Sequence, residues 1–132
     1  MQTHFDPDAP HKVLIMMMTG ELDQRTRSTL TARCGGDAEV RGVAPAVDRL
    51  DTLRAALEQR GIPMEGALGD SDPTRAAETE IAQFDPDELI VVMHAIGEEA
   101  DEERHLSTRL RERFLMPMTF IRTRPNGVIT AD

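Results

Sequence analysis

The chain is short of cysteine, lysine, basic charge and long apolar runs, and each shortage removes a class of function. Its one cysteine, Cys34, has no partner for an internal disulfide. By itself it supports neither a thiolate metal cluster nor a redox pair, and it is expected as a small residue at a helix end rather than as a reactive thiol. Lys12 is the one lysine, and neither a phosphate-loop lysine motif nor a Gly-x-Ser-x-Gly elbow occurs, so nucleophilic catalysis has no signature. The longest apolar runs, Val13 to Met18 and Leu89 to Met93, fall well short of the ~18 residues needed to cross a bilayer. The amino-terminal MQTHFDPDAPHK has no long apolar stretch of the secretory kind, and a cytoplasmic location is the simplest expectation. Fifteen basic against 24 acidic side chains give a formal charge of -9. Such a charge repels polyanions and anionic surfaces at long range, which sets nucleic acid and membrane aside as expected partners.

What is present is a regular alternation. The 132 residues suit one compact domain. Five strand-like runs stand out: Val13 to Met18, Ala38 to Ala44, Ile62 to Leu68, Glu88 to His94 and Met118 to Thr123. Four helical stretches separate them. The first, Glu21 to Arg33, has only Leu22 and Leu30 as strong apolar anchors and is closed by Gly35-Gly36. The second, Val47 to Arg60, spaces Val47, Leu50, Leu53 or Arg54, and Leu57 helically and ends at Gly61, where a left-handed residue terminates a helix. In the third, Asp72 caps, Pro73 suits the first position, and Ala77, Ile81 and Phe84 share a face before Asp85-Pro86-Asp87 breaks the pattern. The fourth repeats Leu106, Leu110 and Phe114 every four residues up to Met116-Pro117.

Strand and helix in this order predict right-handed crossovers between parallel strands, hence an α/β fold arranged as a three-layer α/β/α sandwich. The first and fourth strands are apolar on both faces and belong near the middle of the sheet, whereas the second carries Glu39 and Arg41. Residues 1–11 are expected as a flexible N-terminal arm, 12–124 as the domain and 125–132 as a C-terminal tail.

GDSDPTRAAETEIAQFDPDELIVVMH and RLRERFLMPMTFIRT, together with KVLIMMMTGE and AEVRGVAP, resemble the ordered segments of the universal stress protein family over about residues 12 to 123. The likeness is to small, divergent actinobacterial-type members, with His94 after the fourth strand and an Arg-Glu-Arg-Phe helix end at Arg111 to Phe114. The resemblance implies a five-stranded parallel sheet in the order 3-2-1-4-5, a Rossmann-like fold of the adenine nucleotide alpha hydrolase-like type, and homodimerisation through the last strand. It places a ligand crevice between strands one and four, lined by Met18, Thr19 and Gly20 on one side and His94, Ala95, Ile96 and Gly97 on the other.

Measured against the ATP-binding pattern of that family, the crevice departs at most positions. Met18 stands in place of the aspartate, Val43 remains an apolar wall, and Met93 replaces the first loop glycine. Gly97 is the one glycine of the loop, and the final Gly-Ser pair aligns with Arg104-His105, with Ser107-Thr108 nearby. Glu98, Glu99, Asp101, Glu102 and Glu103 crowd the start of the fourth helix, where carboxylates satisfy the helix dipole and leave little attraction for a triphosphate. A solvated acidic helix start is expected, ATP and AMP are disfavoured, and no resident cofactor is expected.

His94 is either a ligand contact or general base, or a strand-end histidine bonded to the backbone. Asp101 or Glu102 can share a helix face with His105, but these pairs read as surface ion pairs, and no metal is expected. Met16 to Met18, Met116 and Met118 read as packing residues. Arg104, Arg109, Arg111, Arg113, Arg122 and Arg124 concentrate basic charge late in the chain, with Arg109 and Arg113 expected to pair with Glu112 or Glu103. The expectation is a non-catalytic, universal stress protein-like domain that homodimerises through Met118 to Thr123. Thr119 and Arg122 would face the partner, with Met118, Phe120 and Ile121 supplying apolar contact, and a small-molecule ligand is left open. The alternatives are a nucleotide- or phosphometabolite-binding module using Thr19, His94, Arg104 and His105, and a metal-dependent or acid–base enzyme centred on His94.

Overall fold

A computed structural model describes residues 11–124; the expected C-terminal tail and all but His11 of the expected arm lie outside that range. The elements run β1 (Lys12–Met17), α1 (Gln24–Cys34), β2 (Glu39–Ala44), α2 (Val47–Glu58), β3 (Glu65–Leu68), α3 (Pro73–Phe84), β4 (Glu88–His94), α4 (Glu98–Glu102), α5 (Leu106–Arg113) and β5 (Met118–Thr123). All strand pairs are parallel and the sheet order is β3-β2-β1-β4-β5, as the resemblance implies. Among the described residues no helix is long and apolar enough to cross a membrane.

The alternation of side chains along β1 and β4 divides the core in two. Val13, Ile15 and Met17 join Ile90 and Val92 under α1 and α2, while Leu14 and Met16 join Leu89, Val91 and Met93 under α3 and α5. Helices on both faces are what make the central strands apolar throughout.

Local chemistry sets the helix ends. Asp23 caps α1 by accepting the Thr26 N–H at 2.7 Å, so the helix begins later than Glu21. Its buried stripe is Thr26, Leu30 and Cys34, with two small residues beside the one leucine. Burial pushes the Cys34 thiol up to about 12, with the charge of Glu88 adding and that of Arg33 opposing, which leaves it protonated and inert. Asp72 caps α3, with Pro73 in its first turn. At the end of α2, Gly61 takes φ 73°, and the N–H groups of Gly61 and Ile62 bond to the carbonyls of Glu58 and Leu57, each at 3.0 Å. This is the Schellman arrangement, and buried Ile62 is the apolar residue that closes it. That is why β3 starts at Glu65 and not, as the apolar run suggests, at Ile62.

The charged residues of β2 are also accounted for. Arg41 lies between Glu80 at 2.6 Å and Glu65 at 2.9 Å, with its guanidinium 5.9 Å from the Phe84 ring centre. Gly42 follows because a Cβ there would meet Met64 Sδ at 2.7 Å and Leu53 Cδ2 at 2.8 Å. At the opposite end of the sheet from the crevice, His11 belongs to the folded body: its Nε2 is 2.6 Å from Glu88, which Arg33 also pairs at 3.1 Å. Arg113 reaches across to Glu78 of α3, a different partner from the Glu112 or Glu103 expected of it.

Glu80 is 6% exposed and Arg41 20%, so removing one partner strands a desolvated charge. Glu80→Ala is expected to destabilise the protein by about 3 kcal/mol in urea unfolding, whereas the apolar double replacement Arg41→Met with Glu80→Leu should lose less. A single variant within about 0.5 kcal/mol of wild type, the range of ordinary surface substitutions, would contradict the assignment.

Candidate functional site

Order 3-2-1-4-5 reverses direction between β1 and β4, so their carboxyl ends open a crevice at the switch point. On the β1 side the Met18 N–H donates to Val92 O at 2.9 Å, and Arg49 donates to Met18 O at 3.0 Å. Thr19 is buried and accepts the Glu21 N–H at 3.3 Å, and exposed Gly20 completes the turn. Met18 packs against the core beneath α3 and α5. The space left among Met16, Met18, Val43, Pro45, Asp70 and Ala76 is about 10 Å³, no more than one water molecule occupies. Val43 and Met18 both line this space.

On the β4 side the expected loop residues are placed very differently from one another. Ala95 donates to Thr123 O at 2.9 Å, Ile96 is exposed, and Gly97 takes φ 94° to enter α4. His94 is held on three sides. Its N–H donates to Glu103 Oε1 at 2.9 Å, its ring Nδ1 lies 2.7 Å from Glu103 Oε2, and its carbonyl accepts Arg122 Nη1 at 2.7 Å. A carboxylate accepts, so Nδ1 carries a proton, and among the described residues Nε2 has no hydrogen-bond partner. The histidine is bonded through its ring to the Glu103 side chain and through its backbone to the side chains of Glu103 and Arg122.

Glu103 is the residue that sequence reasoning missed. It was expected among solvated carboxylates, yet its side chain is 9% exposed, and turning inward it splits the expected fourth helix into α4 and α5. No periodicity marks it within an acidic run; the available signal was the strand-end histidine nine positions earlier, lacking a partner. Arg104 and His105 do not join the crevice. Arg104 is exposed and pairs with Asp101 at 3.5 Å, and exposed His105 sits at the start of α5, because the inward turn at Glu103 carries both away. Among the described residues no three His, Cys, Asp or Glu side chains cluster to hold a metal.

β5 pairs with β4 alone and is an edge. Met118 and Phe120 pack toward α3 and α5, and Ile121 toward α1 and α2, so the apolar residues expected to contact a partner are half-buried within the chain. Thr119 accepts Arg33 Nη2 at 3.1 Å, and Arg122 turns back to His94; both were expected to face outward. A groove of about 570 Å³ runs along this edge, between Arg25 and Thr26 of α1 and Ser107 and Arg111 of α5. Asp23 ties its upper end together, its N–H donating to Thr123 Oγ1 at 2.8 Å and its carboxylate accepting the N–H of Thr26 at 2.7 Å and of Arg124 at 3.0 Å. Burial works to raise the Asp23 pKa, but the bonds from Arg124, Thr26 and Thr123 outweigh it and hold the carboxyl below its usual value.

No family model matches the chain, and neither does any curated protein. Among solved structures, a short chain dehydrogenase from Mycobacterium smegmatis is similar, with a TM-score of 0.52 and 20% identity over 80% of this chain. The likeness is one of fold. The chain spans about half, 52%, of that protein's length. The turn after β1, Met18-Thr19-Gly20-Glu21, carries one glycine where the dinucleotide fingerprint requires three, so the shared architecture comes without that phosphate cradle.

Because the folded pKa of Asp23 is depressed, its stabilisation is complete above the unfolded value near 3.9 and is lost as pH falls through the folded value. Asp23→Asn is therefore expected to destabilise at neutral pH, with the gap to wild type narrowing as pH falls from about 5 to about 2. Urea unfolding across that range checks this, and a pH-independent gap would refute it. Glu103→Ala removes both acceptors from His94 and should lower stability by about 2–4 kcal/mol in the same assay at neutral pH; a change under about 0.5 kcal/mol would mean that the contact is incidental.

Proposed function

We propose that the protein is a universal stress protein-like cytoplasmic domain that acts by association rather than catalysis, pairing with a second copy through the edge of β5, and that its crevice does not bind ATP tightly. The observation that carries this is that the crevice is filled by the chain's own groups. Met18 leaves about 10 Å³ against Val43. The Glu103 carboxylate takes the His94 N–H, placing negative charge where a phosphate would need donors.

Association rests on the edge itself. A six-residue strand paired on one side presents a row of backbone donors and acceptors to a partner strand, and half-buried Phe120 and Ile121 lie along it.

Two measurements test the two halves. Isothermal calorimetry with ATP, ADP and AMP should give no saturable heat, and a micromolar ATP affinity would overturn the proposal for the crevice. Size-exclusion chromatography with light scattering should give twice the 14.7 kDa chain mass; a monomer at high concentration would overturn the proposal for association. Arg122→Glu, which sets a carboxylate beside Glu103, should weaken the dimer and destabilise the chain.

A further inference from the structure

Six of the fourteen arginines are neutralised by carboxylates. Arg33, Arg41, Arg54, Arg104, Arg113 and Arg122 each lie within ion-pair distance of a carboxylate. Arg25 and Arg111 are among those that, within the described residues, have no carboxylate at that distance, although the chain carries 24 acidic side chains; what sets these two apart is their position. Both line the groove along β5, whose volume of about 570 Å³ falls within the range of ligand pockets. Two unneutralised guanidinium groups flank one concavity from opposite faces of the sheet.

The groove is also preorganised. The Arg111 guanidinium carbon stands 4.8 Å from the centre of the Phe120 ring, a cation–π stack that fixes the fork before a ligand arrives. Arg122 is fixed by His94 O at the same wall. Thr26 lines the groove as well, and its Oγ1 is, among the described residues, the one buried side-chain polar atom without a hydrogen-bond partner. Such an atom is unfavourable unless something bonds to it, and Ser107 brings a second hydroxyl to the opposite wall.

We propose that this groove binds a small phosphate-bearing ligand, a phosphate monoester or pyrophosphate, clamped between Arg25 and Arg111 with the Ser107 and Thr26 hydroxyls as further donors. Paired forks suit an anion with several acceptor oxygens. The net charge of -9 selects for a compact anion, since a polyanion meets repulsion beyond the local cations. The site is separate from the filled switch-point crevice and does not rest on the association proposed above, although a second copy on β5 would lie across the groove. Mass and binding are therefore measured in the same buffer.

The test is calorimetry of the full chain with inorganic pyrophosphate, alongside light scattering. Saturable binding of one ligand per chain is expected. Arg25→Ala and Arg111→Ala should each weaken it about tenfold, and Arg111→Lys, which keeps the charge but loses fork and stack, should weaken it too. Thr26→Val should raise the Tm of the free protein while weakening pyrophosphate, whereas a purely structural hydroxyl would move Tm alone. Absence of saturable heat, or wild-type affinity in both alanine variants, overturns the proposal. A monomer that binds upholds the groove and removes the association; a dimer that does not bind removes the groove and leaves the association standing.

Discussion

β1 and β4 lie side by side with every residue from Val13 to Met17 and from Leu89 to Met93 buried, and the remainder of the chain is arranged to keep them dry. A strand apolar on both faces needs helices above and below, which forces crossover connections. Those connections send β2 and β3 to one side and β5 to the other, so the switch point falls between the two driest strands. Each large aliphatic in this pair contributes about 1.5–3 kcal/mol by leaving water. Polar groups are consequently pushed to the strand ends, which is where the chain's chemistry collects.

At the carboxyl end that chemistry is turned inward. Glu103 accepts both the N–H and the ring of His94, and Arg122 holds the carbonyl. The knot joins the turn before α5 to the ends of β4 and β5, which the sheet already holds side by side. A fold whose switch point ordinarily offers donors to a ligand here spends them on its own carboxylate. At the amino end Glu88 does the corresponding work, receiving His11 and Arg33 and so fastening the start of β1 to the end of α1.

Local signals were legible and long-range pairings were not. Asp72-Pro73, Gly61 and the two dry strands each act through neighbours in sequence, and each formed the element expected of it. Strand order could not come from alternation and came instead from the family resemblance. The errors share one cause. Ile62 looked like strand because its apolar character serves the end of α2, and the stripe Thr26, Leu30 and Cys34 looked weak because small residues suit close packing beneath the sheet edge. Glu103 looked solvated because the partner that buries it sits in another element. Arg113 likewise finds Glu78 on α3, a contact that helix spacing within α5 does not encode.

Charge distribution then separates what folding requires from what it leaves over. Arg41 needs Glu80 because both are taken from water and neither is tolerable alone; Glu88 is buried and needs Arg33 in the same way, although Arg33 itself is half-exposed. Arg25 and Arg111 have no such need: they are exposed, they stand on opposite helical layers, and no buried carboxylate depends on them. Phe120 nevertheless orients Arg111, and α1 presents Arg25 from the same cap that anchors β5 through Asp23. Positive charge ordered without a structural creditor, beside an edge that the fold leaves open, is what distinguishes β5 from the opposite edge at β3, where Arg41 is already claimed by Glu65 and Glu80.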